Sequence, residues 1–169
     1  MKNDLLNDTL QALKNRLSHN GTLKVQVTGG YMYEGTCSFG EGASNDQINE
    51  FTQFTRWNLP PDYLDFLILH NGAKLFADPY GSYVHLLSLS EIMQYHKDSF
   101  PDNHFVVAMA MDGYLLVDCN RITSSPSDYL VWFEAGSFYD LKMNFTCWLD
   151  RLIVAQGEKY WTWNVHLWE

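Results

Sequence analysis

The period of hydrophobic repetition changes several times along this chain of 169 residues, with no low-complexity linker between one regime and the next. Helical and strand periods present apolar side chains in different geometries, so a chain that mixes them this closely must build helices and a sheet around shared apolar surface. Leu6, Leu10, Leu13 and Leu17 recur at spacings of four, three and four, one stripe of an amphipathic helix. From Leu23 the period becomes two. Leu23, Val25 and Val27 alternate with Lys24, Gln26 and Thr28, and beyond Gly29-Gly30 the odd positions hold Tyr31, Tyr33, Cys37 and Phe39. Two alternating runs about a glycine pair predict a β-hairpin with a two-residue turn, because such turns need positive φ at both central positions.

Downstream, punctuation defines the elements. Ser44 and Gln47 have capping-box spacing, so a helix is expected from about Asn45 with Ile48, Phe51 and Phe54 on one face. The preceding Gly40-x-Gly42 reads as a loop, since the third glycine and the lysine of a phosphate-binding loop are both missing. Leu59-Pro60-Pro61 closes one helix and opens another, in which Tyr63, Phe66, Leu67 and His70 form the buried stripe and Asn71-Gly72 the end. Tyr83 to Leu87 is expected as a short strand, and Ser88 with Glu91 repeats the capping box ahead of a helix reaching about His96. Phe105 to Met111 reads as a strand buried on both faces, Asp112-Gly113 as a turn, and Tyr114 to Asp118 as the returning strand. Tyr129 to Glu134 is another strand. Phe145, Trp148, Leu149, Leu152 and Ile153 define a last helix with Asn144 as its cap and Gly157 as its stop. The tail from Tyr160 to Trp168 alternates again and reads as a final strand. The expectation is a single α+β domain over residues 1–169 with a mixed or mainly antiparallel sheet flanked by helices.

Composition limits the chemistry. Twenty Asp and Glu against eleven Lys and Arg give a net charge of −9, which repels phosphate backbones and argues against direct nucleic-acid binding. Cys37, Cys119 and Cys147 form no CxxC pair, so neither a zinc ribbon nor a dithiol redox site is expected, and the thiols read as mostly buried side chains. None of the six histidines (His19, His70, His85, His96, His104, His166) shows the i, i+4 spacing of a zinc helix, and no GxSxG elbow is present. No metal, cofactor or catalytic group is therefore assigned. The start of the chain lacks the basic and apolar regions of a signal peptide, and the longest apolar run, Phe105 to Met111, is too short for a bilayer. A cytoplasmic protein with no membrane association is expected.

Several of these motifs resemble a known family. Ser44-Asn45-Asp46-Gln47-Ile48, then Leu59-Pro60-Pro61-Asp62-Tyr63-Leu64-Asp65-Phe66-Leu67, then Asn71-Gly72 resemble the SMI/KNR branch of the SUKH superfamily. The step from Leu87 to Ile92, the hairpin from Val106 to Asp118 and the helix from Phe145 to Leu152 are similar to later parts of the same pattern. The family-like core spans about 44–152, flanked by a helix and hairpin over 1–40 and a strand-like tail over 158–169. The resemblance implies an α+β fold and a non-catalytic role. Bacterial members are immunity proteins that bind and neutralise toxins, often nucleases, and fungal relatives regulate cell-wall synthesis through partner binding. Leu59, Pro60, Tyr63, Phe66, Asn71 and Gly72 are assigned a structural role, explained by burial and cap geometry.

An inhibitor of a nuclease gains association rate from an acidic face opposite the toxin's basic cleft. Between residues 76 and 145 nine acids face three bases, so this segment carries −6 of the net charge. Within it Asp78, Tyr80, Asp98, Asp102, Asp112, Tyr114, Asp128 and Glu134 are the candidate partner-binding residues, with Tyr83, Tyr129 and Tyr139 as further aromatics. The expected partner is a toxin domain with a basic surface. The alternatives are a regulatory or scaffold domain for another cellular protein, and an enzyme or small-molecule binder whose aromatics line a pocket.

Overall fold

The computed structural model describes residues 4–163. The chain begins with α1 (Asp4–Arg16), which buries Leu6, Leu10 and Leu13, and continues into the hairpin β1 (Thr22–Gln26) and β2 (Met32–Phe39). Two helices follow, α2 (Asn45–Thr55) and α3 (Pro61–Leu69), and then β3 (Ala73–Ala77) and β4 (Val84–Leu86). Helix α4 (Leu89–Tyr95) leads to the pair β5 (His104–Ala110) and β6 (Gly113–Asp118). A single helical turn, α5 (Arg121–Ser124), precedes β7 (Leu130–Glu134) and β8 (Ser137–Asp140), and α6 (Phe145–Val154) comes last.

The eight strands form one sheet in sequence order, every neighbouring pair antiparallel. The expectation of an α+β domain stands, and the sheet is antiparallel throughout rather than mixed. Because the sheet is a simple meander, the connections β1–β2, β3–β4, β5–β6 and β7–β8 lie at one end and the helix-bearing connections at the other. One cross-strand row, Phe39–Ala73–Leu86–Ala108–Leu115–Trp132–Tyr139, runs across most of the sheet. Its central members are buried, and Trp132 packs on Trp161, which in turn meets Trp148 of α6. Helices α1 and α3 both pack against α6. Full burial of a side chain such as Phe66, Phe145 or Leu149 stabilises the fold by about 1.5–3 kcal/mol over its exposed state.

Polar groups tie the helices to the sheet. Ser44 and Ser88 form capping boxes with Gln47 and Glu91, and the Asn144 side chain accepts from Cys147 N. Asn71 Oδ1 accepts from Leu89 N at 2.9 Å, so the Asn-Gly pair that ends α3 also caps the next helix. Tyr63 donates to the Leu87 carbonyl at 3.2 Å. Phe66 is fully buried, Pro60 is buried, Leu59 is half-buried, and Gly72 has φ 94°.

Several local expectations change. Gly29 and Gly30 do have positive φ, but Gln26 pairs with Met32, so the first hairpin has a five-residue connection containing a short 3-10 turn. Ala110 pairs with Gly113, so the second tight turn is Met111-Asp112 and Gly113 belongs to the strand. Phe54, expected on the buried face of α2, is 74% exposed, because the inward stripe is closed by Ile48 and Phe51 alone. His70, expected in the stripe of α3, is its half-buried C-cap residue. Tyr129 is buried, donates to Asp62 and accepts from Phe145 N, which removes it from any surface. Of the thiols only Cys37 is fully buried. Strands β3 and β8 and the turn α5 had no counterpart in the sequence reading. Tyr160–Thr162 is a 3-10 turn rather than strand, and the rest of the expected tail strand lies outside the described residues apart from Trp163.

Candidate functional site

Three hairpin connections at one end of the meander, β1–β2, β3–β4 and β5–β6, meet the segment that follows α6. Together they enclose a cleft of about 290 Å³. Phe76, Val84 and Ala110 form its buried floor. Tyr33, Tyr83, Asp78 and Glu158 stand in its walls, half-buried, and Tyr31, Tyr80 and Met111 form an exposed rim. Exposure there is large: 55% for Tyr31, 85% for Tyr80 and 69% for Met111.

The floor depends on a bulge. Thr36 pairs with Ala77 and Ser38 with Lys74, so β3 carries one residue more than β2 at this point. Phe76 takes up the excess in left-handed geometry, φ 55°, which an L-residue adopts at a cost of roughly 1–2 kcal/mol. Its N–H points to Cys37 Sγ at 3.4 Å, and its carbonyl accepts from Tyr33 Oη at 2.9 Å. Burial, followed by the charges of Asp78, Cys37 and Glu158, pushes the Tyr33 hydroxyl up to about 12, so it remains a neutral donor.

Both wall carboxylates are held by one oxygen only. Asp78 Oδ1 accepts from Tyr80 N and Ser82 N at 2.8 and 2.9 Å, an Asx-type closure of the β3–β4 turn. Glu158 Oε1 accepts from Thr28 N at 3.2 Å, and Gln156 Oε1 accepts from Gln26 N. The segment carrying Gln156 and Glu158 is strapped down by the next residue. Lys159 Nζ donates to Asp112 Oδ1 at 3.1 Å and to Glu134 at 2.9 Å, while Glu134 also accepts from Trp132 Nε1. Burial alone would lower the Lys159 pKa, but its bonds to Glu134 and Asp112 outweigh that and raise it.

The sequence-derived candidates therefore divide. Asp78 and Tyr80 share the cleft, joined by Tyr83. Asp112 and Glu134 sit beside it, engaged by Lys159. Asp128 lies 3.6 Å from Arg121 Nη1, in a group with Asp118 and Asp140. Tyr114 is on the other face of the sheet, where Lys97 Nζ lies over its ring and bonds its hydroxyl. Asp98 and Asp102 are exposed in the connection between α4 and β5. Sequence reasoning missed Tyr31, Tyr33, Met111 and Glu158. The two tyrosines stood in an alternating run that reads only as strand, and Glu158 carried no motif.

Chemically, the cleft offers aromatic faces and two carboxylates, a combination that attracts cations. Among the described residues no group of three or more His, Cys, Asp or Glu could hold a metal ion, and no helix is long and apolar enough to cross a membrane.

The chain is similar to known proteins in sequence. The model of the SMI1 / KNR4 family (SUKH-1) matches residues 42–151. The chain is 31% identical to the uncharacterized protein YobM of Bacillus subtilis (strain 168) over 174 aligned residues, covering 96% of this chain and 94% of YobM. It is 29% identical to the uncharacterized protein YnaB of the same organism over 143 aligned residues, covering 82% of this chain and 95% of YnaB. The matched region begins after β2, so Tyr31 and Tyr33 lie before it and Glu158 after it.

Proposed function

The chain belongs to the SMI1 / KNR4 family (SUKH-1), and from that premise we propose that it is a non-catalytic protein-binding domain, an immunity protein that captures and neutralises a basic, nuclease-type toxin domain in the cytoplasm. The observation that carries this reading is the rim of the cleft, where Tyr31, Tyr80 and Met111 stand exposed around the carboxylates of Asp78 and Glu158. Tyrosines that gain burial on binding supply the energetic centre of many interfaces, and a monomer has no folding reason to expose them together. A net charge of −9 favours encounter with a basic partner.

Co-expression with any toxin domain encoded beside this chain tests the reading. The expected result is rescue of growth and a stable complex whose association slows steeply as salt rises. No rescue and no complex with any neighbouring toxin overturns it. A complex whose association is insensitive to salt supports the scaffold alternative instead.

A further inference from the structure

Resting on the reading of the cleft as the partner-binding surface, we propose that it receives one arginine side chain of the partner, its guanidinium set against the tyrosine faces and the two wall carboxylates. The argument starts from which acids of this chain already hold a cation. Arg121 serves Asp118, Asp128 and Asp140, and Lys159 serves Asp112 and Glu134. Asp78 and Glu158 have no ion-pair partner among the described residues, and their hydrogen bonds engage Oδ1 and Oε1 alone. Each therefore keeps one oxygen to offer. Of the cleft tyrosines, Tyr83 already has Lys74 Nζ over its ring, 5.0 Å from the centroid, which leaves Tyr31, Tyr33 and Tyr80 to face an incoming cation.

Size and shape narrow the occupant. A volume of about 290 Å³ lies just under the roughly 300–1,000 Å³ of clefts that take drug-sized molecules, and it suits a single long side chain. The apolar floor of Phe76, Val84 and Ala110 matches the methylene stem of such a side chain. Arginine is favoured over lysine because its flat cation stacks on aromatic faces while its fork of N–H donors reaches two carboxylates at once.

The test titrates the full chain with Nα-acetyl-arginine amide, its uncharged citrulline counterpart and Nα-acetyl-lysine amide, read by two-dimensional 1H–15N NMR. Arginine amide is expected to shift the amides of Thr28, Tyr80 and Ser82 saturably, with citrulline amide silent and lysine amide several-fold weaker. The variant Asp78→Asn/Glu158→Gln keeps both turn-closing acceptors and its overall spectrum, and it is expected to lose at least about tenfold in arginine affinity, the equivalent of one charge-assisted bond. Equal shifts from citrulline or lysine amide, shifts located elsewhere, or an unchanged affinity in the double variant overturn the assignment. A toxin complex that forms while the arginine titration fails overturns this inference and leaves the protein-binding reading standing. Failure of every neighbouring toxin to be neutralised removes the immunity reading, whereas the titration is decided by its own shifts.

Discussion

At Gly113 a Cβ would stand 2.1 Å from Trp132 Cζ2, inside the indole ring that covers this part of β6. The glycine is there for the tryptophan, not for the neighbouring turn, where Met111 adopts φ 52°. Gly113→Ala must displace a ring 1% exposed and packed on Trp161, and the expected cost is about 1–3 kcal/mol, read from the midpoint of urea unfolding. A second single-residue effect belongs to His70, which ends α3. Its Nδ1 lies 2.9 Å from the Gly40 carbonyl, which accepts only, so the ring proton is on Nδ1 and Nε2 accepts from Lys14 Nζ at 2.7 Å. Burial, with the Lys14 charge adding to it against the bond to Gly40, lowers the pKa of His70 below 6.5. The unfolded chain then binds more protons than the folded one as pH falls below 6.5, so stability declines on that side and is complete above it. His85 and His104 are lowered as well, chiefly by burial, and add to the same slope. Urea midpoints measured from pH 7.5 to 5 are expected to fall for the native chain and to fall less for His70→Gln.

Helix starts that carry side-chain caps are legible in the sequence. The Ser44 and Ser88 boxes and the Asn144 cap place the starts of α2, α4 and α6, whereas α2 ends at Thr55, short of the expected Leu59, because Arg56 turns left-handed (φ 59°) and caps it. Strand β8 was invisible because none of its four residues is buried, and alternation cannot be read where neither face is covered. Strand β3, Ala-Lys-Leu-Phe-Ala, lacks β-branched residues and follows Gly72 directly, so it merged with the helix-ending turn. The opposite error arose at Tyr160–Thr162, where Trp161 packs on Trp132 and Trp148 from a 3-10 turn and so imitates an inward strand residue. The cleft was half legible. Asp78 and Tyr80 share one turn and are neighbours in sequence, but Tyr31 and Tyr33 reach them only through the meander and Glu158 only through the course of α6. One long-range junction between elements was equally hidden. Asp62, in the first turn of α3, accepts from the Tyr129 hydroxyl and from Thr146 N at 2.9 Å, and the same hydroxyl accepts from Phe145 N at 3.0 Å. The start of α6 is thus capped by a side chain from α3 and one from the entry to β7. Tyr129→Phe strips a buried donor and acceptor together, and a loss of about 1–3 kcal/mol is expected in urea unfolding. A loss of partner affinity with unchanged stability would contradict the placement of Tyr129 in the core.

Across the whole molecule the acidic excess is less free than its net value suggests. Three carboxylates surround Arg121, two hold Lys159, and Glu91 lies 3.1 Å from His85 while bonding the Ser88 cap. Much of the charge in the second half of the chain therefore fastens the fold. Arg121 joins the end of β6 to β8, and Lys159 joins the segment after α6 to the β5–β6 turn and the end of β7. These clasps and the cleft should separate experimentally. Lys159→Met keeps a stem that can cover the Trp132 ring, over which Nζ sits at 5.8 Å, but leaves Glu134 half-buried without its cation. The expected loss is roughly 1.5–3 kcal/mol, that of a charge-assisted contact, and it should shrink in high salt because Asp112 is exposed. The same substitution also exposes two acids near the cleft, so association with a basic partner, followed by stopped-flow mixing under conditions where the variant is folded, should be as fast as for the native chain or faster. Asp78→Asn/Glu158→Gln should behave in the opposite sense, with native-like unfolding and slower association. If Lys159→Met slowed association as much as the double amide variant, the division of acids between clasp and cleft would be wrong.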